Sequence, residues 1–243
     1  VRLGGLREGS RGVALTQLRS LLDDARLYRQ DPKAFDPHRF GRPHLSRLDL
    51  EALAAVVAGE APLLAWVNRR ADITAALALA AEQGIRLVVV GGAEAWAEAA
   101  ALAAAQVPVV LNPLENLPGD FDRRLARPDS AAILVKAGVT VALSTWETHN
   151  VRKLRQLAGN AVRAGLPHAQ AVQAITAAPG RVLGVPALGT LRPGARADLV
   201  LWSGDPLELS SRAEQVLIGG RVMPAAHRQA DLLHRYRQLD PGR

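Results

Sequence analysis

The segment Glu147–Asn150, Glu-Thr-His-Asn, places a carboxylate and an imidazole on either side of one residue. Histidine is a common metal ligand and a base near neutral pH, so Glu147 and His149 could supply metal ligands or a proton shuttle. Asn150 could then contact a substrate. A structural alternative stays open, because a carboxylate at a helix start interacts with the helix dipole, and Thr148, His149 or Asn150 could cap that helix.

Asn68 and Arg69 stand where an earlier hydrophobic run ends. The Arg69 guanidinium could bind a substrate carboxylate through two parallel hydrogen bonds, and Asn68 could contact the same substrate. The alternative for both is structural: a salt bridge, or a cap for the helix that begins near Asp72. Substrate binding and helix capping therefore remain two interpretations of this pair.

Glu94 and Asn112 follow two further hydrophobic runs. Before Glu94, the pair Gly91-Gly92 could let an anion approach backbone N–H groups at a helix start. Glu94 could bind substrate, or it could be an ordinary carboxylate in the first turn of a helix. The loop from Asn112 to Asp122 is longer than most such connections, so it could cover a site to which both residues contribute.

The composition excludes several other chemistries. The 243-residue chain has no cysteine, which removes disulfides, thiolate zinc sites and a cysteine nucleophile, and leaves cytoplasm and periplasm equally open. The net charge of +7 is scattered without interleaved aromatic residues, which argues against nucleic acid. No apolar run reaches the ~20 residues of a membrane span. Phosphate-loop, dinucleotide-binding and Ser–His–Asp patterns are missing. We therefore expect a soluble protein that acts on a small molecule.

Four short hydrophobic runs alternate with helical segments over residues 61–184. The predicted strands are Pro62–Val67, Arg86–Val90, Val107–Leu111 and Val139–Ser144. This alternation predicts an α/β fold with a parallel sheet, and the spacing of the strands suits the units of a (β/α) barrel. Residues 1–60 are predicted to be a lead-in of helices and loops, with no strand before position 62.

The remaining residues differ in pattern. Residues 185–224 are predicted to form a small β-rich, sandwich-like segment, and residues 225–243 a C-terminal helix. Leu188–Leu191 and Ala197–Trp202 are predicted as strands around a turn. A hairpin that turns at Gly219-Gly220 should follow.

Two C-terminal motifs resemble the amidohydrolase superfamily. Gly189–Trp202 is similar to its G-x-L-x-x-G-x-x-A-D-L-V signature, and Ala174–Gly184 to its A-x-T-x-N-P-A-x-x-L-G helix, with Ala178 where Asn is usual. Further segments resemble the imidazolonepropionase-like branch of that superfamily: Asn68–Ile73, Val90–Trp96, Asn112–Pro118 and Ser144–Asn150.

The resemblance implies hydrolysis of amide-like carbon–nitrogen bonds with a divalent metal, zinc first of all, at the carboxyl ends of the strands. In the family, strands 5 and 6 end in histidine ligands, and strand 8 ends in an aspartate that also acts as a base. Glu147 best matches that aspartate, so the resemblance makes Glu147 and His149 catalytic residues and metal ligands. Strands 5 and 6 here end at Asn68 and Gly91-Gly92 instead, so the ligand set is degenerate.

The resemblance equates the four strands with strands 5 to 8, which predicts the C-terminal half of a (β/α)8 barrel. Four strands cannot close a barrel and would leave two edges unpaired. We therefore expect that the chain is incomplete at its N-terminus, or that a homologous subunit completes it. Two functions stay open: a metal-assisted hydrolase of non-peptide carbon–nitrogen bonds, and a non-catalytic homologue that has lost its metal and binds a ligand or a partner. A purely structural role is a third.

Overall fold

The computed structural model describes residues 1–3, 10–33, 46–185, 187–224 and 228–237. The chain divides into two compact units, Val1–Thr190 and Leu191–Arg243. This division falls shortly after the domain boundary that the sequence predicts between residues 184 and 185.

The first unit alternates helices and strands, as the sequence predicts. Its elements are α1 (Arg11–Gln30), α2 (Arg47–Val57), β1 (Leu63–Val67), α3 (Arg70–Gln83), β2 (Leu87–Gly91), α4 (Ala99–Ala104), β3 (Val109–Leu111), α5 (Ser130–Lys136), β4 (Val141–Leu143), α6 (Leu154–Arg163), α7 (His168–Ile175) and α8 (Ala177–Val182). Short 3-10 turns precede α4, α5 and α6, at Ala95–Glu98, Phe121–Arg123 and Thr148–Lys153. The helix predicted over 167–177 instead stops at Ile175, because the backbone of Thr176 leaves the helical region and separates α7 from α8.

Strands β1 to β4 form one parallel sheet in chain order. Their register sets four residues side by side in one row across the sheet: Trp66, Val90, Val110 and Ala142. Because parallel strands point the same way, their carboxyl ends lie along one edge, which we call the mouth. The predicted half-barrel arrangement is thus confirmed.

The sequence sets several helix ends directly. The Ser10 hydroxyl accepts the N–H of Val13 at 3.3 Å and caps α1. Ser46 and Asp49 form a reciprocal capping box at the start of α2, and the hydrogen bonds from Ser46 hold the pKa of the Asp49 carboxyl below its usual value. Gly84 directly follows the last residue of α3 and caps the helix. Its φ of +60° is a left-handed conformation that glycine adopts without strain.

The sheet is covered on both faces at its centre. Val89, Val109 and Val141 alternate with the row described above and are buried on one face. On the opposite face, which we call the inner face, α8 packs against the strands, in a cluster made of Val88, Val90, Ala142, Ala178 and Val182.

The outer edge of β1 is partly paired by the first residues of the chain. Arg2 forms a parallel bridge with Trp66. The N–H of Leu3 donates to the Trp66 carbonyl at 3.0 Å, and the Trp66 N–H donates to the Val1 carbonyl at 2.7 Å. This pairing is an isolated bridge, and among the described residues no strand precedes β1, as the sequence predicts.

The second unit contains a three-stranded antiparallel sheet of β5 (Leu199–Trp202), β6 (Ala213–Ile218) and β7 (Arg221–Val222), followed by α9 (Arg228–Arg237). The predicted two-glycine hairpin is confirmed, with φ of +56° and +78° at Gly219 and Gly220. The strand predicted at Leu188–Leu191 was wrong, since Leu188 and Gly189 lie in a turn and the next two residues are in no strand. Among the described helices, none has the length and apolar character needed to cross a membrane.

Candidate functional site

The mouth gathers the residues that follow the four strands. Asn68, Gly92, Asn112 and Ser144 are the first residues after β1, β2, β3 and β4. The Gly92 N–H donates to the last carbonyl of β1 at 2.7 Å, and the Ser144 N–H donates to the last carbonyl of β3 at 3.0 Å. The structure therefore brings the strand ends that the sequence singled out to one edge of the sheet.

Asn68 links the turns that follow β1 and β2. Its side-chain Oδ1 accepts the N–H of Ala93 at 3.4 Å. Its backbone carbonyl accepts the N–H of Glu94 at 2.9 Å. With the Gly92 N–H also bonded, the donors of the two-glycine turn are used inside the protein, so an anion would have to displace these bonds to bind there.

Glu94 is buried, with 6% of its surface exposed. Its Oε2 accepts the N–H of Arg70 at 2.8 Å, so this carboxylate caps α3 rather than the turn that follows it. The side chain of Arg70 in turn pairs with Glu98. The half-buried Arg69 has no ion pair within the described residues and lines an open depression with Arg70, Glu94 and Glu98. Of this group, Arg69 is therefore the residue that offers its charge to a ligand.

Glu147, His149 and Asn150 come together at the mouth. The Glu147 Oε2 atom lies 2.8 Å from Nε2 of His149 and accepts a hydrogen bond from Nδ2 of Asn150 at 3.3 Å. The side chains of Glu147 and His149 are 57% and 73% exposed. They lie at the start of the 3-10 turn that leads into α6. A carboxylate in contact with an imidazole in open solvent can exchange protons with water and with a bound molecule.

The long loop after β3 is tied to two helix starts. Asn112 Oδ1 accepts the N–H of Leu114 at 3.0 Å and shapes the beginning of the loop. Asp122 pairs with Arg11 of α1, and Arg11 also binds Asp72 of α3 at 2.8 Å. Burial is the largest single influence on the pKa of Arg11 and lowers it. The hydrogen bonds and charges of Asp72 and Asp122 together outweigh burial, so the pKa lies above its usual value. The ion pair of Asp122 with Arg11 therefore holds the loop in place.

The far end of the loop has its own anchor. The indole Nε1–H of Trp96 donates to the Leu125 carbonyl at 2.9 Å, and the Arg127 guanidinium lies 4.8 Å from the centre of the same ring. Arg127 also binds both carboxylate oxygens of Asp129. These contacts fix the path by which the loop returns to α5.

Two tryptophans fill the inner face at the mouth. Trp66 lies on β1 and Trp146 lies just beyond β4, so they come from the two edge strands of the sheet. Their ring centroids are nevertheless 4.6 Å apart, with planes at 54°. Both pack against the inner-face cluster. Neither tryptophan was predicted to be a site residue, because an indole in a hydrophobic run is not a metal ligand or a base. Alternation within β1 was the signal that could have placed Trp66 on the inner face.

Two local features of Trp146 lower the stability of the folded chain. Its φ of +62° lies in the left-handed region, which costs about 1–3 kcal/mol for a residue other than glycine. Its Nε1 atom is buried and has no acceptor within the described residues, and an unpaired buried donor costs about 1–3 kcal/mol. Two hydroxyls hold the turn, since the Trp146 N–H donates to Ser144 Oγ at 3.1 Å and Thr145 Oγ1 donates to the Glu147 carbonyl at 3.0 Å.

The donor set does not complete a metal site by itself. The described residues contain no group of three or more His, Cys, Asp or Glu side chains able to hold a metal ion. Glu147 and His149 supply two donors at the mouth. By contrast, β1 is followed by Asn68, and β2 ends in the Gly91-Gly92 pair. A tetrahedral or larger coordination shell needs further ligands, so these strands do not fit a metal without residues from elsewhere.

Sequence comparisons show which known proteins the chain resembles. Residues 137–224 match the family model described as "Amidohydrolase family". The imidazolonepropionase of Anaeromyxobacter sp. (strain K) is 37% identical over 139 residues, which cover 52% of this chain and 32% of that protein. The amidohydrolase tasK of Hapsidospora irregularis is 39% identical over 89 residues, covering 34% of this chain and 9% of that protein. The chain thus spans only a third or less of these curated relatives.

Solved structures agree on the fold. An amidohydrolase from Thermotoga maritima MSB8 superposes with a TM-score of 0.80 and 25% identity over 92% of this chain and 61% of the other. A triazine hydrolase from Arthobacter aurescens shares the fold at a TM-score of 0.56 and 18% identity, over 97% and 61% of the two chains. Over the parts that these comparisons cover, the chain is similar to proteins of the amidohydrolase superfamily, among them an imidazolonepropionase.

Proposed function

We propose that the protein hydrolyses a non-peptide carbon–nitrogen bond of a small molecule at the mouth of its sheet. The superfamily assignment supports hydrolysis of such bonds at the level of the family. The observation that carries the proposal is the 2.8 Å contact between Glu147 and His149, which lies in the segment matched by the family model.

In this proposal Glu147 is the base, and its carboxylate accepts a proton from the attacking water. His149, in contact with that carboxylate, transfers a proton to the leaving nitrogen. Asn150, which donates to Glu147, orients the carboxylate. Arg69 binds an anionic group of the substrate.

The other predicted substrate-binding residues have more limited roles in this proposal. Asn68 and Glu94 already hold the β1 and β2 turns together, so they shape the wall of the mouth. Asn112 shapes the loop that covers it. Their contribution to substrate binding stays a prediction.

A divalent metal, with zinc as the first choice, belongs to the proposal as a property of the superfamily. When bound, such a metal would activate water and polarise the scissile bond. Because β1 to β4 end in too few ligands, its coordination would come chiefly from residues outside these strands. We therefore assign no step to the metal.

We also propose that further parallel strands complete the sheet, supplied by an N-terminal half or by a homologous subunit. The parallel bridge between Arg2 and Trp66 supports this proposal, because it lies on the outer edge of β1 where a further strand would pair. On the inner face, Leu64 is 41% exposed and would be covered by such strands. Sedimentation of the purified chain with a dye that binds apolar surface tests this. A dye-binding monomer is expected, and a monomer that binds no dye would contradict it.

A screen of cyclic and linear amides tests the activity, using the chain with added Zn²⁺ and Glu147→Gln as the key variant. Turnover should fall at least ~100-fold in this variant, as on loss of a general base, with an unchanged circular dichroism spectrum. Glu60→Gln, at an exposed site before β1, is the matched control and should retain full activity. Equal turnover in both variants would remove Glu147 from the mechanism.

A non-catalytic homologue is the second candidate function. It is favoured by Asn68 and the two-glycine turn, which stand at the strand ends where the resemblance leads us to expect metal-binding histidines. In this case the protein would bind a ligand or a partner without hydrolysing it. A folded chain that hydrolyses none of the amides, with or without Zn²⁺, would support this second candidate over the first.

A further inference from the structure

We infer that the edge of the sheet opposite the mouth holds a second ligand site, which takes a small organic molecule with a carboxylate or phosphate group. A cavity of about 400 Å³ opens at this edge. Its lining includes the residues that immediately precede β1, β2, β3 and β4, namely Pro62, Arg86, Pro108 and Thr140. Small-molecule sites in proteins have volumes in this range, so the cavity is large enough for a ligand.

Two arginines give this cavity a positive charge. Arg86 and Arg181 both line it, and neither forms an ion pair within the described residues. Arg86 donates a long hydrogen bond of 3.4 Å to the Gly59 carbonyl. Among the described residues that line the cavity, none is an aspartate or a glutamate. Charges of one sign in a cleft with apolar walls strengthen the field inside it, so the cavity favours an anion.

The two arginines are brought together by the end of α8. Arg181 lies on this helix, and Gly184 follows it with a left-handed φ of +80°. A β-carbon built on Gly184 would lie 3.1 Å from Nη2 of Arg86. Glycine at this position therefore leaves room for the Arg86 guanidinium beside the helix that carries Arg181. Because a guanidinium presents a planar fork of donors, it matches the oxygens of a carboxylate or a phosphate.

Gln106 adds a neutral donor to the same cavity. Two residues after their last helical residue, α5 and α6 have glycines with left-handed backbone, Gly138 and Gly165. At the corresponding position after α4 stands Gln106, with a φ of +52°. This conformation is unfavourable for a residue with a side chain, and such strain is often found at functional sites. The side chain of Gln106 lines the cavity, where its amide can donate to the same anion.

The remaining walls indicate that the anionic group is attached to an apolar body. Leu87, Val107 and Val182 line the cavity beside the arginines. A second cavity of about 220 Å³ shares Thr140 and Arg181 with the first, so the two adjoin. An inorganic ion would fill a small part of this space and leave the apolar walls in contact with water. An organic acid or a phosphate ester fits both the charge and the walls.

The test uses the full chain labelled with ¹⁵N and follows its backbone amide signals by nuclear magnetic resonance. Four probes are titrated to ~20 mM, a range suited to the weak binding of small fragments. They are phenyl phosphate, phenylacetate, inorganic phosphate (an anion without an apolar body) and benzyl alcohol (an apolar body without a charge). The inference does not rest on the proposed hydrolysis, because binding is measured at the opposite edge of the sheet and without turnover.

Phenyl phosphate or phenylacetate should shift the amide signals of Arg86, Gln106 and Thr140 and leave those of Asn68 and Ser144, at the mouth, in place. The tighter of these two probes identifies the anionic group as a phosphate or a carboxylate. Inorganic phosphate should bind about fivefold more weakly, because it lacks the apolar body, and benzyl alcohol should shift none of these signals. The inference is overturned if neither organic anion shifts the three signals, if the shifts are confined to the mouth, or if inorganic phosphate or benzyl alcohol binds equally well.

Substitution gives an independent check. Arg86→Gln and Arg181→Gln should each weaken binding of the tighter organic anion about tenfold, because each removes a charged donor. Both arginines are exposed, so the chain should still fold in either variant. Arg29→Gln, at an exposed site in the last turn of α1, is the matched control and should bind as the unmodified chain does. Unchanged binding in both cavity variants, or an equal loss in Arg29→Gln, would reject the site.

Discussion

The side-chain oxygen of Asn68 occupies the space into which a side chain at Gly91 would project. A β-carbon built on Gly91 would lie 2.5 Å from Oδ1 of Asn68, and the φ of +91° at Gly91 is itself a left-handed conformation. The ends of β1 and β2 therefore fit together only with glycine at this position. This contact explains the first glycine of the Gly91-Gly92 pair by packing, without an anion.

The Gly91→Ala substitution should lower the free energy of unfolding by about 2–4 kcal/mol, because backbone strain and a steric clash act together. Gly59→Ala is the matched control. Gly59 has a φ of +76°, but a β-carbon there meets nothing within 4 Å, so strain alone should cost about 1–2 kcal/mol. Urea unfolding measures both.

A double variant separates the clash from the strain. Adding Asn68→Ala to Gly91→Ala removes the atom that the new β-carbon meets, so part of the lost stability should return. The residual cost should then resemble that of Gly59→Ala. If the two single losses simply add, the contact between Asn68 and Gly91 is not the cause.

The Arg11→Met substitution should loosen the loop after β3. Asp72, only 8% exposed, would be left without its charge partner, at a cost of about 1–3 kcal/mol. Asp122 would lose the same partner. Trypsin should therefore cleave faster at Arg123 or Arg124 in the variant, as followed by mass spectrometry.

Arg19→Met provides the comparison for Arg11. Arg19 pairs with Glu82 at 2.7 Å, but both side chains are largely exposed. Exposed ion pairs contribute about 0–1 kcal/mol. Equal losses for the two arginine variants, or an unchanged cleavage rate in Arg11→Met, would show that the loop is held by other contacts.

The Glu94→Ala substitution should destabilise the chain by about 1–2 kcal/mol, because α3 loses a buried cap at the Arg70 N–H. Glu94→Gln keeps an oxygen that can accept this hydrogen bond and should lose less than half as much. Thermal unfolding of both variants measures the difference. If Glu94→Gln is as unstable as Glu94→Ala, the charge of Glu94 rather than its hydrogen bond stabilises the helix.

The sequence predicts the centre of the sheet well because the strands there are buried on both faces. In β2, Leu87–Val90 are hydrophobic at every position, as expected of a parallel strand covered on both faces, and the structure buries all four residues. Gly84 and Gly219-Gly220 mark a helix end and a hairpin because left-handed turns require them. These are local signals that a sequence shows directly.

The site is less visible in the sequence because it depends on which atoms meet. Glu94 was expected near a ligand, yet its carboxylate turns back to cap α3. Trp146 stands among polar residues in the sequence, but its left-handed backbone directs the ring onto the inner face. The pairing of Arg2 with Trp66 joins residues far apart in the chain. Spacing alone specifies none of these three contacts.

Acid should weaken the anchor where the loop joins α5. Hydrogen bonds from Arg127 hold the pKa of Asp129 below its ordinary value of 3.8. A carboxyl with a lowered pKa in the folded state stabilises that state fully above the ordinary pKa and loses this effect as the pH falls through the folded pKa. The unmodified chain should therefore be more stable than Asp129→Asn at pH 7, by about 0.5 kcal/mol as for exposed pairs. The gap should close at pH values below the ordinary pKa. Urea unfolding of both chains at intervals from pH 7 to about pH 3 measures the gap. A difference that stays constant over this range would mean that the Asp129 charge does not stabilise the folded chain through Arg127.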